Sequence, residues 1–249
     1  MTRPDVAVVV PCFQEARRLD VAGLTDLVDA MGHVVFVDDG STDSTADVLA
    51  ALVARRPDRA ELVRLERNRG KAEAVRAGLL HVAGRHAVVG YFDADLATPV
   101  GELERMAEML AGRPDCAGVL ASRVAMLGHV VDRRATRHYL GRLYATAASL
   151  ALGVAVYDTQ CGAKLFRATP TLRAALAEPF ADRWSFDVEL LARLLRPAAG
   201  LEPVRPDQLV EMPLRAWRDV AGSKLGPASA MRAMVALGRV RRATQPRAR

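Results

Sequence analysis

Four short runs of mostly apolar residues alternate with helix-like segments in the N-terminal part of this chain. The runs cover 6–10, 34–37, 62–65 and 88–92, and between them we predict helices over 15–19 and 42–55 and from Lys71 to Leu80. A strand that is apolar along its whole length is buried on both faces, which is typical of a parallel sheet covered by helices. The sequence therefore predicts an α/β fold with a mostly parallel central sheet flanked by helices.

Each of these runs is followed by a cluster of polar residues. In open parallel sheets, ligands bind beyond the carboxyl ends of the strands, so we expect the four clusters to meet at one edge of the sheet. The clusters contain Pro11, Phe13 and Glu15 after the first run, Asp38 and Asp39 after the second, Gly70 and Lys71 after the third, and Asp93, Ala94 and Asp95 after the fourth.

Asp93 and Asp95 form a pair of carboxylates separated by one residue. Mg²⁺ and Mn²⁺ prefer one or two carboxylates together with phosphate oxygens and water, so this pair suits either ion. The same spacing also fits one aspartate capping the helix that Thr98 and Pro99 open, with the other aspartate in solvent. Neither a G-x-G-x-x-G nor a G-x-x-x-x-G-K-[ST] motif is present, which disfavours a dinucleotide-binding dehydrogenase and a P-loop NTPase. Carboxylates for a base and ribose, beside a metal for a diphosphate, favour a nucleotide-sugar ligand.

Composition bears on three properties of the protein: disulfide bonds, zinc sites and cellular location. The three cysteines are far apart and odd in number, and the histidines lack metal-ligand spacing, so we expect neither a disulfide framework nor a zinc site. With no signal-peptide pattern at the start and no uncharged run long enough to cross a bilayer, we expect a cytoplasmic protein.

The C-terminal part of the chain is strongly basic. From 220 to 249 there are seven basic residues and no acidic one, within a net charge of +6. Such a tail favours an anionic partner, and without interleaved aromatic residues the cytoplasmic membrane surface is preferred over nucleic acid. A soluble, disordered tail is the alternative.

These clusters, with the segments 8–11, 37–43 and 68–71, resemble the family 2 glycosyltransferases of GT-A fold. Motifs of the second half, which resemble those of dolichyl-phosphate β-glucosyltransferases and bacterial polyprenyl-phosphate relatives, extend the similarity from about Val6 to about Lys224. They are Ala121-Ser122-Arg123, the segment 157–162, Lys164-Leu165-Phe166, the segment 184–191 and the segment 217–224.

The resemblance implies a single GT-A domain over 1–225, with a Rossmann-like nucleotide-sugar half (1–95), an acceptor half (96–225) and a basic helix or tail (226–249). It also implies an inverting, metal-dependent transfer of a hexose, preferably glucose from UDP-glucose, onto polyprenyl or dolichyl phosphate.

The resemblance also implies roles at matching positions. It assigns donor binding to Pro11, Phe13, Glu15, Asp38, Asp39, Gly70, Lys71, Asp93 and Ala94. It assigns binding of the metal ion, Mg²⁺ or Mn²⁺, to Asp93 and Asp95. It assigns binding of the acceptor phosphate to Arg123 and Arg137, and catalysis to Asp187, Asp95 and Arg123.

Four further residues are candidates for acceptor binding: Gln160, Lys164, Trp184 and Lys224. Gln160 and Lys164 can instead satisfy the backbone of a turn, and Trp184 can belong to the core. Asp187 can act as a general base if the acceptor is a hydroxyl, or orient an acceptor phosphate that is already anionic. Its position is also typical of a carboxylate at a helix N-terminus.

The chain departs from the family pattern in places that leave the acceptor open. Phe13-Gln14 stands where the family usually has Tyr-Asn, and Ala163 replaces a bulky aromatic residue. We also expect the chain to lack the membrane anchor that is common among relatives. The alternatives are transfer from the same donor to a soluble small molecule, and a protein that binds nucleotide-sugar without catalysis. The oligomeric state also stays open.

Overall fold

The computed structural model describes residues 5–132, 135–220 and 237–238, with the backbone alone at 135–138. Within these residues the strands are β1 (Val6–Cys12), β2 (His33–Asp38), β3 (Ala60–Arg64), β4 (Val88–Phe92), β5 (Gly118–Ser122), β6 (Val130–Asp132), β7 (Ala163–Arg167), β8 (Leu209–Pro213) and β9 (Ala216–Arg218). The α-helices are α1 (Val21–Ala30), α2 (Thr45–Val53), α3 (Lys71–Val82), α4 (Val100–Ala111), α5 (Ala135–Leu152), α6 (Pro170–Ala177) and α7 (Phe186–Leu195).

A seven-stranded sheet in the order β3-β2-β1-β4-β7-β5-β8 forms the centre of the protein. β1 pairs in parallel with both β2 and β4, while β7 runs antiparallel between β4 and β5. β6 and β9 form a separate parallel pair. The predicted mostly parallel sheet is confirmed, as are its first four strands.

One predicted helix is wrong. The segment 15–19 forms a turn, in which the backbone N–H of Arg18 donates to the Glu15 carbonyl at 2.7 Å. The helix begins later, at Val21, because the side chain of Asp20 accepts a hydrogen bond from the Gly23 N–H at 3.0 Å and so caps its first turn.

Alternate residues of each central strand face opposite sides of the sheet, where two cores have formed. The first core (core A) includes Val9 of β1 and Leu190 of α7, and the second (core B) includes Val8 of β1 and Met212 of β8. Each core contains residues from before and after residue 95. The predicted division into a nucleotide-sugar half and an acceptor half at that residue therefore remains a prediction about ligand binding.

Most of the predicted basic tail, 226–249, lies outside the described residues. Leu237, which is described, is buried in core A. None of the helices in the described ranges is both long enough and apolar enough to cross a membrane.

Candidate active site

The carboxyl ends of the parallel strands bring the predicted polar clusters together. Cys12 at the end of β1 is opposite Asp38 at the end of β2, and the Asp39 N–H donates to the Cys12 carbonyl at 2.9 Å. The Leu65 N–H donates to the Asp38 carbonyl at 2.9 Å, which ties the end of β3 to the same edge. The expectation that the clusters meet at one edge is therefore met.

The loop after β1, which carries Phe13 and Glu15, is held by the loop before α2. Gln14 has a φ of +55°, and its backbone N–H donates to Ser41 Oγ at 3.0 Å. Thr45 Oγ1 accepts from the backbone N–H groups of both Glu15, at 2.9 Å, and Ala16, at 3.0 Å. These bonds fix the path of the β1 loop before any ligand binds.

The two adjacent aspartates after β2 have different roles. Asp39 accepts hydrogen bonds from Asn68 Nδ2 at 3.0 Å and from the N–H groups of Arg69 and Gly70 at 2.7 and 2.8 Å. Burial raises the pKa of this carboxyl group. Asp39 therefore shapes the loop before α3, and donor contact by Asp39 stays a prediction.

Asp38 is fully buried but incompletely satisfied. Its Oδ1 accepts from the Ser41 N–H at 3.1 Å, whereas Oδ2 has no hydrogen bond within the described residues and only a 3.5 Å ion-pair contact with Arg64. A buried carboxylate oxygen without a donor marks a place where a ligand can supply one. Of the two aspartates, Asp38 is therefore the one suited to a nucleoside N–H or hydroxyl.

Lys71, the first residue of α3, extends along the sheet edge to the next cluster. Its Nζ lies 2.5 Å from Asp93 Oδ1. Although burial opposes the charged amine, the carboxylates of Asp93 and Asp187 raise the pKa of Lys71. The donor-side lysine is thus paired with one of the two predicted metal-binding carboxylates.

Arg183 is a second cation at this place, and nothing in the sequence pattern had marked it. Its side chain packs across Gly70, where an added Cβ would come within 2.9 Å of Arg183 Cδ. Gly70 also has a φ of +94°, which favours glycine.

The Asp93 carboxylate rests directly on Gly162 at the start of β7. A Cβ on Gly162 would lie 1.9 Å from Asp93 Oδ2, and the Asp93 N–H donates to the Gly162 carbonyl at 3.0 Å. The close approach of β4 and β7 therefore needs glycine at this position and sets the direction of Asp93.

Asp93 and Asp95 fit a divalent cation by the chemistry of their donors. Loss of hydration and then repulsion by Asp93 raise the pKa of Asp95, a strain that a bound cation would relieve. The described residues contain no cluster of three or more candidate metal-ligating side chains. Two carboxylates that leave the remaining positions to phosphate oxygens and water match the preference of Mg²⁺ and Mn²⁺.

Asp187 lies in the first turn of α7, where it is hydrogen-bonded to side chains of β4 and β7. Its Oδ1 accepts hydrogen bonds from the Tyr91 hydroxyl and from Lys164 Nζ, the latter at 2.7 Å. Burial and the Asp187 charge raise the pKa of Tyr91 well above its ordinary value, so its hydroxyl stays a donor. Asp187 Oδ2 has no hydrogen bond in the described part of the chain, and the side chain keeps 7% exposure.

The prediction that Lys164 binds the acceptor is corrected by its position. Its side chain is 0% exposed, and Nζ donates to the Cys161 carbonyl at 2.6 Å as well as to Asp187. A lysine enclosed in this way cannot reach an acceptor that enters from solvent. It positions Asp187 and balances its charge.

Arg123, at the end of β5, is held in a fixed orientation by a carboxylate. Its Nε and Nη2 donate to Asp158 at 2.7 and 2.8 Å, and it stacks on Trp217 with 5.4 Å from Cζ to the ring centroid. Although burial disfavours the charge, Asp158 raises the pKa of Arg123. The backbone N–H of Asp158 in turn donates to Glu211 of β8 at 2.8 Å. Within the described residues, Nη1 of Arg123 and the second N–H of Nη2 have no hydrogen-bond acceptor, so they can donate to a ligand.

The remaining acceptor candidates are placed as follows. Gln160 Nε2 is buried without a hydrogen-bond partner within the described residues. Trp184 is half-buried and meets the Tyr144 ring edge-on, with 5.0 Å between centroids, so it packs against the core as well as flanking the site. The side chain of Arg137 and the whole of Lys224 lie outside the described residues.

Sequence reasoning missed the roles of four residues: Tyr91, Asp158, Arg183 and Glu211. Each acts through a partner distant in the chain, such as Tyr91 with Asp187 or Glu211 with Asp158. Asp158 did fall inside one of the quoted motifs, but the spacing does not show which cation it binds.

A mostly parallel sheet with an antiparallel strand inserted beside β4, and a carboxylate pair at the tip of β4, defines this chain as a protein of GT-A fold, the class of nucleotide-sugar-dependent glycosyltransferases. The chain belongs to one family of that class. Residues 7–171 match the family described as "Glycosyl transferase family 2", so the protein is a glycosyltransferase.

Curated relatives cover nearly the whole chain. The dolichyl-phosphate beta-glucosyltransferase of Drosophila melanogaster is 32% identical over 253 residues, spanning 90% of this chain and 70% of the relative. The enzyme of the same description from Saccharomyces cerevisiae is 28% identical over 248 residues, spanning 88% of this chain and 69% of the relative.

Solved structures share the fold. Glucosyl-3-phosphoglycerate synthase from Mycobacterium tuberculosis, in complex with Mn²⁺, uridine diphosphate and glucosyl-3-phosphoglycerate, superposes with a TM-score of 0.64 at 17% identity. The match covers 98% of this chain and 82% of that chain. At this identity the similarity establishes the GT-A fold alone.

Proposed function

We propose that this protein is an inverting, metal-dependent hexosyltransferase that moves glucose from UDP-glucose onto the phosphate of a polyprenyl or dolichyl phosphate. The observation that carries the proposal is the convergence, on one sheet edge, of the unsatisfied Asp38, the pair Asp93 and Asp95, and the fixed Asp187. The curated relatives, described as dolichyl-phosphate beta-glucosyltransferases, support the choice of sugar and acceptor.

On the donor side, Oδ2 of Asp38, which has no hydrogen bond within the described residues, accepts one from the uracil N–H, beside the β1 loop that carries Phe13 and Glu15. Asp93 and Asp95 would hold Mg²⁺ or Mn²⁺, and such an ion would supply positive charge to neutralise the departing diphosphate. Lys71 and Arg183 add positive charge at the same place. The chain thus supplies a recognition group at the base and cations at the diphosphate.

On the acceptor side, the surroundings of Asp187 favour a phosphate. A phosphate monoester is anionic at neutral pH and attacks the anomeric carbon without a strong base. Asp187 shares the buried Lys164 ammonium, so its free Oδ2 is better suited to orient the sugar and acceptor than to remove a proton. Arg123, with Nη1 available, and Arg137 bind the acceptor phosphate.

The test is a panel of donors, UDP-glucose, UDP-galactose and GDP-mannose, with and without polyprenyl phosphate, scored by release of nucleoside diphosphate and by the mass of the lipid product. We expect UDP release from UDP-glucose that depends on Mg²⁺ or Mn²⁺ and is stimulated by the lipid phosphate. Turnover that persists in chelator, or that polyprenyl phosphate does not stimulate, contradicts the proposal.

Asp187→Asn separates the phosphate acceptor from a hydroxyl acceptor. Loss of a general base costs on the order of 10²–10⁴-fold in kcat with a hydroxyl acceptor, and we expect a much smaller loss with a phosphate. If kcat on polyprenyl phosphate falls by on the order of 10²–10⁴-fold, Asp187 removes a proton there as well.

A further inference from the structure

The segment 156–158 follows α5 and ends in Asp158, and side chains from two different elements bind its backbone. From α5, Arg142 Nη1 donates to the Tyr157 carbonyl at 3.0 Å. From β8, Glu211 Oε2 accepts from the Tyr157 N–H at 2.7 Å, and Glu211 Oε1 accepts from the Asp158 N–H at 2.8 Å. Each oxygen of Glu211 thus accepts from one of two consecutive backbone N–H groups.

The side chain of Asp158 is directed at Arg123 and at its own turn. Asp158 Oδ2 accepts from both the backbone N–H and Nε of Arg123, at 3.1 and 2.7 Å. Oδ1 accepts from Arg123 Nη2 at 2.8 Å and from the Gln160 N–H at 3.0 Å. Because a bidentate contact of this kind fixes the plane of a guanidinium group, a displacement of Asp158 also turns Arg123.

The surroundings of Glu211 do not otherwise favour a carboxylate. Glu211 forms an ion pair with none of the cations in the described residues, and it lines a cavity of about 120 Å³. The other walls of the cavity are mainly aliphatic and include Leu120 of β5, Leu152, Val154 and Leu191. A charged group beside apolar side chains is costly unless hydrogen bonds satisfy it, so this placement indicates that Glu211 serves to accept the two N–H groups.

The same cavity leaves one side of the segment 156–158 without packing. Val156 lines the cavity, and a void supplies no contact atoms to the side chains around it. Hydrogen bonds therefore matter more than packing for the position of this segment. Among those bonds, the one from Glu211 is made to the backbone of Asp158 itself.

We propose that Glu211 is a positioning residue for Arg123, and through Arg123 for the phosphate of the acceptor. Glu211 holds Asp158 beside β8. Asp158 in turn fixes the guanidinium group of Arg123, whose remaining N–H groups donate to the acceptor phosphate. The identity of this ligand rests on the proposed function, whereas the orientation of Arg123 by Glu211 does not.

Two substitutions remove the acceptor oxygens of Glu211 in steps. Glu211→Gln is close to isosteric, but the amide nitrogen cannot accept a hydrogen bond, so one of the two N–H groups loses its partner. Glu211→Leu removes both acceptors, and the aliphatic cavity can accommodate the new side chain. Asp5→Asn is the matched control, because Asp5 Oδ2 also accepts from a distant backbone N–H, that of Ala87 at 2.8 Å, at the opposite edge of the sheet.

Steady-state kinetics with UDP-glucose and polyprenyl phosphate measure the consequence for the acceptor. We expect Glu211→Gln to raise the KM for the acceptor about tenfold and Glu211→Leu on the order of a hundredfold, with the donor KM within about twofold of wild type. Asp5→Asn should leave both KM values unchanged. A purely structural loss would reduce the fraction of folded enzyme without changing either KM, so a rise confined to the acceptor KM indicates positioning.

Crystal structures of the wild type and of both Glu211 variants test the positioning itself, whatever the acceptor is. We expect Asp158 to be displaced in the variants and its contact with Arg123 Nε to be lost. Unchanged contacts between Arg123 and Asp158 in Glu211→Leu would overturn the proposal, as would an unchanged acceptor KM in that variant. If the wild type does not transfer to polyprenyl phosphate, the proposed function fails, while the crystal structures still decide whether Glu211 positions Arg123.

Discussion

Asp187 places two buried donors on one of its oxygens and leaves the other for the reaction. Lys164 is the unusual member of this group, because a lysine is almost never fully buried unless it is paired, and here Asp187 is its partner. Its ammonium is surrounded by Asp187, the Cys161 carbonyl and the Tyr91 ring, whose centroid lies 5.2 Å from Nζ. Lys164 and Tyr91 are therefore positioning residues for Asp187.

Tyr91→Phe tests this without breaking the ion pair. Removing the hydroxyl takes one hydrogen bond from Asp187, at a cost of about 0.5–1.5 kcal/mol in stability. We expect kcat to fall about tenfold, since small displacements of a catalytic group are costly, while the KM for the donor changes little. Steady-state kinetics with both substrates measure the two constants. Unchanged kcat in a folded variant would show that Asp187 does not depend on Tyr91.

Lys164→Met is the stronger companion variant. Removing one partner of a buried ion pair destabilises a protein by about 3–5 kcal/mol, so unfolding is measured alongside activity. We expect kcat to fall by on the order of 10²-fold or more in the folded fraction, with donor binding retained. Donor binding by calorimetry gives the control, and its loss together with kcat would indicate collapse of the whole site.

Gly162→Ala tests the placement of Asp93. A Cβ at 162 would overlap the Asp93 carboxylate, so this side chain must turn away from its present position. We expect a rise in the metal concentration needed for half-maximal activity and a loss of kcat/KM of on the order of 10²-fold. Gly84→Ala is the matched control, because no atom of the described residues lies within 4 Å of a Cβ there. Equal metal requirements for Gly162→Ala and wild type would remove Asp93 from the metal site.

At the scale of elements, the loop after β1 depends on the loop before α2 for its shape. Thr45→Val removes the Oγ1 that accepts from Glu15 and Ala16, leaving two backbone N–H groups without that acceptor. We expect a loss of about 1–3 kcal/mol in the free energy of unfolding and a higher KM for the donor, with kcat nearly unchanged. Denaturant titration and donor kinetics measure these effects.

Thr25→Val is the control for this change. Thr25 Oγ1 donates only to the Val21 carbonyl within its own helix, at 2.7 Å. It should leave the donor KM at the wild-type value. If both variants raise the donor KM equally, the effect does not come from the β1 loop.

The elements that the sequence predicts best are those with a local cause. Continuous apolar runs placed β1 to β4, and polar residues at the strand ends located Asp38, Asp93 and Asp95 at the site. No local sequence pattern predicts the antiparallel insertion of β7, because the insertion depends on how Ala163 and Phe166 pair with strands far away in the chain. The burial of Lys164 follows from that insertion, which is why spacing alone placed it at the acceptor.

For the whole molecule, the position of β7 makes one folding unit of the two predicted halves. β7 pairs with β4 on one side and β5 on the other, so the sheet is continuous across residue 95. Cores A and B, on opposite faces, both contain residues from before and after that point. A substitution that destabilises the nucleotide half should therefore lower the stability of the acceptor half to the same extent.

The two tryptophans make the coupling between the halves testable, because both lie in the second half and each packs against a different core. Trp184 packs against core A and Trp217 lies in core B, whereas Phe36 of β2 is buried in core B from the first half. Phe36→Ala should lower the free energy of unfolding by about 3–5 kcal/mol. We expect tryptophan fluorescence and far-UV circular dichroism to shift to the same lower denaturant midpoint in a single step.

Leu80→Ala, at an exposed position, should stay within about 0.5 kcal/mol of wild type. Two separated fluorescence steps in Phe36→Ala would mean that the sheet faces unfold independently. A fluorescence midpoint that stays at the wild-type value while circular dichroism shifts would mean that the halves fold apart. Coincident shifts would instead show that the two halves unfold as one unit, as the continuous sheet and the two shared cores predict.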